Sequence, residues 1–447
     1  MSENLFGTDG IRDRAGEGML APAALQRLGV AVGEHFSAKC PRAPRVLIGR
    51  DTRESGESIE ADFGGGLAVA GCEVHTAGIL PTPAISMLVG ELGYDLGIVI
   101  SASHNPAAFN GVKLFDAGGC KLVVAEEEEM TRRFHAAEQP PENGPAPQAI
   151  QGMATAYLDV LLRQLGGDGF LSGMTIALDC ARGATATTAR EAFERAGATV
   201  HIICDETDGA RINEGCGSLH PEPLAAVVKE TGAALGVAFD GDGDRSILVD
   251  EKGGVVDGDE VLTLWALALR DAGQLPGDCL VATVMSNAGM ESHLRANGVE
   301  MARTPVGDRE VFEELRRRGA ALGGEQSGHI IYLPEANTGD GVRTGLHIAR
   351  MLKAGVRPLS ELRAEIPRFP QVLLNTEVAR KVPFDDLPKT AAAARETEER
   401  LAGRGRLLLR YSGTEPLARV LIEGPDADEN ESLARHLIDC LVEEIGS

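Results

Sequence analysis

The feature that most constrains this chain is a pattern of short apolar runs alternating with amphipathic stretches, begun afresh three times. In 23–39, Leu25, Leu28, Val32 and Phe36 recur at helical spacing; Val46-Leu47-Ile48 then reads as a strand and 83–92 as another helix. The run Leu96-Gly97-Ile98-Val99-Ile100 is short and β-branched, as a buried strand would be. A second series starts at Met174-Thr175-Ile176-Ala177-Leu178 and a third at Leu280-Val281-Ala282-Thr283-Val284. Such alternation buries its apolar faces most simply as βαβ units. Pro and Gly thicken over 139–147, which reads as an exposed connection, and a last break falls at Ile366-Pro367-Arg368-Phe369-Pro370. The expected division is therefore 1–150, 151–255, 256–368 and 369–447. The last and smallest segment has strand-like 406–410 and 418–423 and a closing helix around 430–446, with Leu433, His436, Leu437, Cys440, Leu441 and Ile445 on its apolar face.

A faint internal likeness links the three series. DLGIVISASHN, ALGVAFDGDGD and ALGGEQSGH each contain a Leu-Gly pair that runs into a polar loop. Each α/β unit is thus expected to offer one functional loop, at the carboxyl end of a strand where open α/β sheets place their ligands.

Those loops carry distinct chemistries. Ser101, Ser103 and His104 lie together after 96–100. Asn-Pro and Asn-Gly make the segment a fair turn, but it is equally a place for a reactive hydroxyl. Asp240-Gly241-Asp242-Gly243-Asp244-Arg245 sets three carboxylates at alternate positions with glycines between, able to bend around one hard cation. Glu251 falls where a calcium-binding EF-hand loop would need it, yet Arg245 stands at the position requiring glycine and both flanks read as strands. Mg²⁺ suits the set better than Ca²⁺.

Gly324-Glu325-Gln326-Ser327-Gly328-His329 offers groups that could hydrogen-bond vicinal sugar hydroxyls. Arg410-Tyr411-Ser412-Gly413-Thr414-Glu415-Pro416 combines arginine, hydroxyls and glycine-exposed backbone N–H groups, as a phosphate dianion requires. GTDGIR at 7–12 and the loop from Arg303 to Arg309 are further polar segments. The phosphate-cradling G-x-x-x-x-G-K-[ST] pattern does not occur, which argues against an ATP-consuming P-loop enzyme.

Charge narrows the partners. With 43 Lys and Arg against 67 Asp and Glu, the formal charge of −24 disfavours nucleic acid and anionic membrane. A phosphorylated metabolite would need a local arginine cluster or a metal. The eight cysteines form no CxxC pair, so neither zinc nor a disulfide framework is expected. MSENLFGTDG lacks the pattern of a signal peptide, and no apolar run approaches the roughly 20 residues that span a bilayer. The expectation is a cytoplasmic protein.

Taken in order, GTDGIR, SASHNP, NGVK at 110–113, DGDGDR, GEQSGH and RYSGTEP resemble the α-D-phosphohexomutase family over nearly the whole chain. The resemblance implies an α/β fold of three related domains with mixed sheets around a cleft, plus a smaller α+β C-terminal domain. It implies a phosphoserine at Ser103, and Mg²⁺ on Asp240, Asp242 and Asp244 with the phosphate of Ser103 completing the site. Lys113, Arg12 and His329 are the implied proton-moving and charge-balancing residues, Lys113 serving as base only if its pKa is depressed. The sugar would meet Arg245, Gly307, Asp308, Glu325, Gln326 and Ser327, and its distal phosphate Arg410, Ser412, Gly413, Thr414 and Arg419. Gln326 is similar to the branch acting on glucosamine phosphates. That branch implies interconversion of glucosamine 6-phosphate and 1-phosphate through glucosamine 1,6-bisphosphate, feeding UDP-N-acetylglucosamine synthesis. The implied partner is a small phosphosugar, with a homodimer and an activating kinase as the protein partners the family allows. The alternatives are the phosphomannomutase/phosphoglucomutase branch and a non-catalytic phosphosugar-binding regulator. AAF after SASHNP and Tyr411 before Ser412 depart from the usual family pattern.

Overall fold

The computed structural model describes residues 5–7, 9–136, 144–401, 404–412 and 416–446. Four sheets organise them. The first, six-stranded, runs in the order Ile11–Arg14, Phe109–Asp116, Leu96–Ile100, Arg45–Arg50, Glu73–Ile79, Gln148–Ala149. The second, five-stranded, is ordered Val255–Val256, Ser246–Asp250, Leu235–Phe239, Thr175–Asp179, Thr199–Ile203. The third, four-stranded, is ordered Glu300–Thr304, Cys279–Thr283, Leu322–Gly324, Ile330–Tyr332. These three are mixed sheets of α/β type. The fourth is a three-stranded antiparallel sheet, Gln371–Glu377, Leu417–Glu423, Arg406–Tyr411.

The likeness between the three series has a structural basis. In each, the strand opened by the Leu-Gly pair turns through its polar loop into an antiparallel partner. Leu96–Ile100 pairs with Phe109–Asp116, Leu235–Phe239 with Ser246–Asp250, and Leu322–Gly324 with Ile330–Tyr332. The glycine of the pair leaves room for a neighbouring helix in each, and at Gly323 also for the Val281 carbonyl oxygen, 2.8 Å from where a Cβ would lie. A Cβ at Gly97 would lie 2.5 Å from Val89 Cγ2, at Gly236 2.8 Å from Val228 Cγ2, and at Gly323 3.1 Å from Val311 Cγ1. Each valine belongs to the helix preceding that strand: Thr82–Glu91, Glu222–Thr231 and Asp308–Arg318. Glycine lets that helix settle onto the sheet.

The expected helix over 23–39 runs Pro22–Ser37, with Leu25, Leu28, Val32 and Phe36 buried in the first core. Among the described residues, no helix is long and apolar enough to cross a membrane. The chain forms two compact units, 1–284 with 302–363, and 285–301 with 364–447. In the second unit the closing helix, Ala427–Ile445, is capped by Asp426, which accepts from the N–H groups of Asp428 and Glu429. Leu433, Ala434, Leu437, Leu441 and Ile445 are buried there, whereas His436 is exposed and not part of the apolar face. Ala434 takes the inward position, so the stripe is rotated toward the smaller residue.

Candidate active site

Ser103 sits one turn beyond Leu96–Ile100, buried, with φ of 52°. That left-handed conformation costs a residue with a Cβ on the order of 1–2 kcal/mol. Its hydroxyl donates to Asp240 Oδ2 at 2.5 Å, and its N–H donates to Ser101 Oγ at 2.8 Å. Ser101 in turn donates to Asp51 at 2.6 Å. The two serines thus serve different carboxylates, Ser103 that of Asp240 and Ser101 that of Asp51.

The loop 240–245 joins two antiparallel strands, so the flanks exclude a helix–loop–helix calcium site. Its glycines are dictated by close approach. A Cβ at Gly241 would lie 2.6 Å from the Ser103 carbonyl oxygen, so only glycine lets the two loops meet. Asp240, Asp242 and Asp244 are buried, with ligand oxygens all within 4.8 Å of one another. Asp240 Oδ1 accepts from the N–H groups of Gly243 and Arg245, and Asp242 Oδ2 from Thr82 Oγ1 at 2.6 Å. Oδ1 of Asp242 and Oδ1 of Asp244 are buried without a hydrogen-bond donor among the described residues. Buried, orphaned carboxylate oxygens within one cluster are costly, and an oxygen-only donor set fits a hard divalent cation. Burial first, then the charges of Asp244 and Asp242, push the Asp240 carboxyl well above its ordinary value.

A second group, Asp179 with Cys204 and Cys216, is also drawn together, which the scattered cysteines did not foretell. Here the polar atoms are already answered. Both Asp179 oxygens accept backbone N–H groups, from Ala181 and Gly217, and Arg182 donates to Cys216 Sγ at 3.2 Å.

From the three aspartates a chain of ion pairs runs outward. Lys113 donates to Asp242 at 2.9 Å and Asp244 at 3.3 Å, and lies 3.3 Å from Asp9. Burial opposes its charge, yet Asp242, Asp9 and Asp244 outweigh it and hold the ammonium well above its ordinary pKa. The depressed pKa on which a role as base was conditional is therefore not found: the carboxylates decide, not the burial. Arg12 pairs with Asp9, and Asp9 also pairs with Lys121, which bridges to Asp308. His329 lies with Nδ1 3.7 Å from Asp244 while its Nε2 accepts from the Gly339 N–H at 3.0 Å. Burial disfavours its charged form, but Asp244, Asp308 and Glu325 raise its pKa on balance.

In the loop 324–329, Glu325 accepts from the Gly307 N–H at 3.1 Å and from Ser327 Oγ at 3.2 Å. Arg245 Nε lies 3.8 Å from Asp244. Gln326 turns aside: its amide donates to Asp257 Oδ2 at 3.3 Å, and Asp257 caps the helix Gly258–Asp271. In the second unit, Arg410 and Arg419 stand opposite each other on neighbouring strands, and Arg419 donates to Ser412 Oγ at 3.4 Å. Two cations at directly opposed positions repel unless an anion joins them. Gly413 and Thr414 lie outside the described residues.

Residues that sequence reasoning passed over include Asp9, Lys121 and Thr82, and the group Asp51, Arg53 and Asn213 around Ser103. Asp9 lay inside GTDGIR, and Asp51-Thr52-Arg53 directly follows the strand Arg45–Arg50, the position that singled out Ser103.

A serine hydroxyl aimed at a carboxylate trio, with a polar glycine-bounded loop on the same framework, has the makings of a phosphoryl-transferring site. Models of phosphoglucomutase/phosphomannomutase match the chain throughout: α/β/α domain I at 3–141, domain II at 155–254, domain III at 257–369 and the C-terminal domain at 373–439. The chain belongs to the phosphoglucomutase/phosphomannomutase family, a family of phosphoryl-moving isomerases. It is 47% identical over 436 residues to a phosphoglucosamine mutase of Moorella thermoacetica, covering 96% of this chain and 97% of the relative. It is 44% identical over 444 residues to a phosphoglucosamine mutase of Solidesulfovibrio magneticus, covering 98% of each. A phosphoglucomutase/phosphomannomutase family protein of Burkholderia thailandensis shares the fold with a TM-score of 0.82 at 23% identity, over 99% of this chain and 98% of that one. So does the Aspergillus fumigatus N-acetylphosphoglucosamine mutase solved with GlcNAc-6P and magnesium, with a TM-score of 0.65 at 18% identity, over 98% and 95% of the two chains.

Proposed function

We propose that the chain is a phosphoglucosamine mutase, interconverting glucosamine 6-phosphate and glucosamine 1-phosphate. The observation that carries this reading is the 2.5 Å bond from Ser103 to Asp240, within a carboxylate trio holding two orphaned oxygens. In the reading, Ser103 carries a phosphoryl group. Its Oγ–P bond breaks as O1 of glucosamine 6-phosphate bonds to phosphorus and gives up its proton, leaving Ser103 as a protonated hydroxyl and giving the 1,6-bisphosphate. The sugar then reverses, its O6 phosphate returns to Ser103, and glucosamine 1-phosphate leaves.

Asp240, Asp242 and Asp244 would hold Mg²⁺, which when bound neutralises charge on the transferring phosphoryl group. The chain's own cations do related work. Phosphoserine adds about −1.5 to −2 charge, and Lys113, kept as an ammonium, and Arg12 offset it. His329, held between Asp244 and the Gly339 N–H, keeps one fixed orientation. Glu325 and Ser327 would bind the sugar's O3 and O4 hydroxyls, with Arg245, Gly307 and Asp308 beside them. Arg410, Ser412 and Arg419, with Gly413 and Thr414 next in the chain, would grip the phosphate that is not reacting, which turns binding energy into positioning.

The test compares kcat/KM for the phosphates of glucosamine, glucose and mannose on one phosphorylated preparation. A preference for glucosamine phosphate supports the reading; a preference for mannose or glucose phosphate moves the chain to the other branch. Turnover that needs a trace of the 1,6-bisphosphate separates a mutase from a phosphatase or a silent binding protein.

A further inference from the structure

Arg53 is fully buried and spends its whole guanidinium on one loop. Nε donates to Asp51 at 2.9 Å; one terminal nitrogen donates to the carbonyls of Pro106 and Phe109 at 2.6 and 2.9 Å. The other donates to the carbonyls of Ser103 and Asn105 at 2.9 and 2.7 Å. All five N–H groups of the side chain therefore meet acceptors, four of them carbonyls of the segment that carries Ser103. Asp51, the counter-charge, also accepts from Ser101 Oγ, and Ser101 Oγ accepts the Ser103 N–H. A second donor reaches the Ser103 carbonyl from the neighbouring sheet's loops: Asn213 Nδ2, at 3.0 Å, also 3.3 Å from the Asn105 carbonyl.

We propose that Arg53, oriented by Asp51 and joined by Asn213, is a positioning residue for phosphoryl transfer: it holds Ser103 in its left-handed backbone conformation and so fixes the Oγ against the aspartates. Both backbone groups of Ser103 are tied, the N–H through Ser101 and Asp51, the carbonyl through Arg53 and Asn213. A relaxed serine with φ below zero would swing its Oγ away from Asp240. Lysine cannot replace this arginine, because an ammonium has three donors and no planar fork to serve four carbonyls and a carboxylate together.

The inference rests on Ser103 as the phosphate carrier. That reading falls separately, if Ser103→Ala keeps its activity, whatever the Arg53 variants do. The experiment measures kcat, KM, melting temperature and phosphoserine content in R53K and R53A, with glucosamine phosphate and, in parallel, glucose phosphate. A misplacement of about 1 Å costs roughly a hundredfold, so R53K should lose about that in kcat on both sugars with KM unchanged. Methylguanidinium should restore part of the rate in R53A. A kcat for R53K within twofold of the parent overturns the proposal, as does a loss confined to KM. Should neither variant fold, N213A decides, since it removes one donor from the Ser103 carbonyl and leaves the charges intact. Its kcat should fall severalfold with KM unchanged, and an unaltered kcat there overturns the proposal.

Discussion

Ser103 donates its hydroxyl proton to Asp240 at 2.5 Å although the two are 137 residues apart in the chain. The contact forms because two loops of like construction, each between a parallel strand and its antiparallel return, meet where Gly241 has no side chain. The serine and the carboxylate trio thus come from different sheets, and their register depends on the packing between those sheets.

Ser103 and Ser101 should separate cleanly. Ser103→Ala removes the group facing Asp240 and should abolish mutase turnover and the added phosphate seen by peptide mass spectrometry. Ser101→Ala should keep the phosphate on Ser103. It unties the Ser103 N–H and leaves Asp51 short of a donor, which costs about 1–3 kcal/mol, so its melting temperature should fall.

Metal removal should act on the site and not on the fold. Exhaustive chelation should stop transfer and leave the far-ultraviolet circular dichroism unchanged, because the trio closes a loop and not a core. Added Mg²⁺ at a hundred times its dissociation constant should stabilise the protein by about 2.7 kcal/mol, read as a rise in melting temperature. In Asp242→Asn that rise should shrink, and survival of full activity after chelation would sink the assignment.

Adding one methyl group to the paired strands should destabilise where intrinsic strand preference says otherwise. Alanine normally suits a strand better than glycine, yet Gly97→Ala and Gly236→Ala would press on Val89 and Val228. Each should lower stability by about 1–3 kcal/mol in urea titration. Equal or greater stability in both would refute the shared role of these glycines.

Gln326 bonds to Asp257 and shapes its loop, so its replacement should weaken all sugars alike. A lost neutral hydrogen bond is worth about 0.5–1.5 kcal/mol. Gln326→Met should therefore lower kcat/KM severalfold for glucosamine and glucose phosphates together, their ratio holding within twofold. A switch in preference would place Gln326 against the sugar's C2 substituent.

The sequence by itself determined the elements and the inventory of chemistry. Periodicity marked the first helix by Leu25, Leu28, Val32 and Phe36, and alternating carboxylates with glycines announced a buried carboxylate cluster, because both signals are local. Glycines in DGDGDR were legible as flexible joints, but not as the surface on which Ser103 rests. What only the tertiary structure decided is which distant groups share a site and what charge each then holds. Lys113 is kept as an ammonium by Asp9, Asp242 and Asp244, which burial alone would have reversed. Asp51, Arg53 and Asn213 surround Ser103 from separate segments, and no spacing in the chain encodes that. Local pattern follows from one segment's own geometry, whereas pairing and electrostatics depend on how the sheets pack.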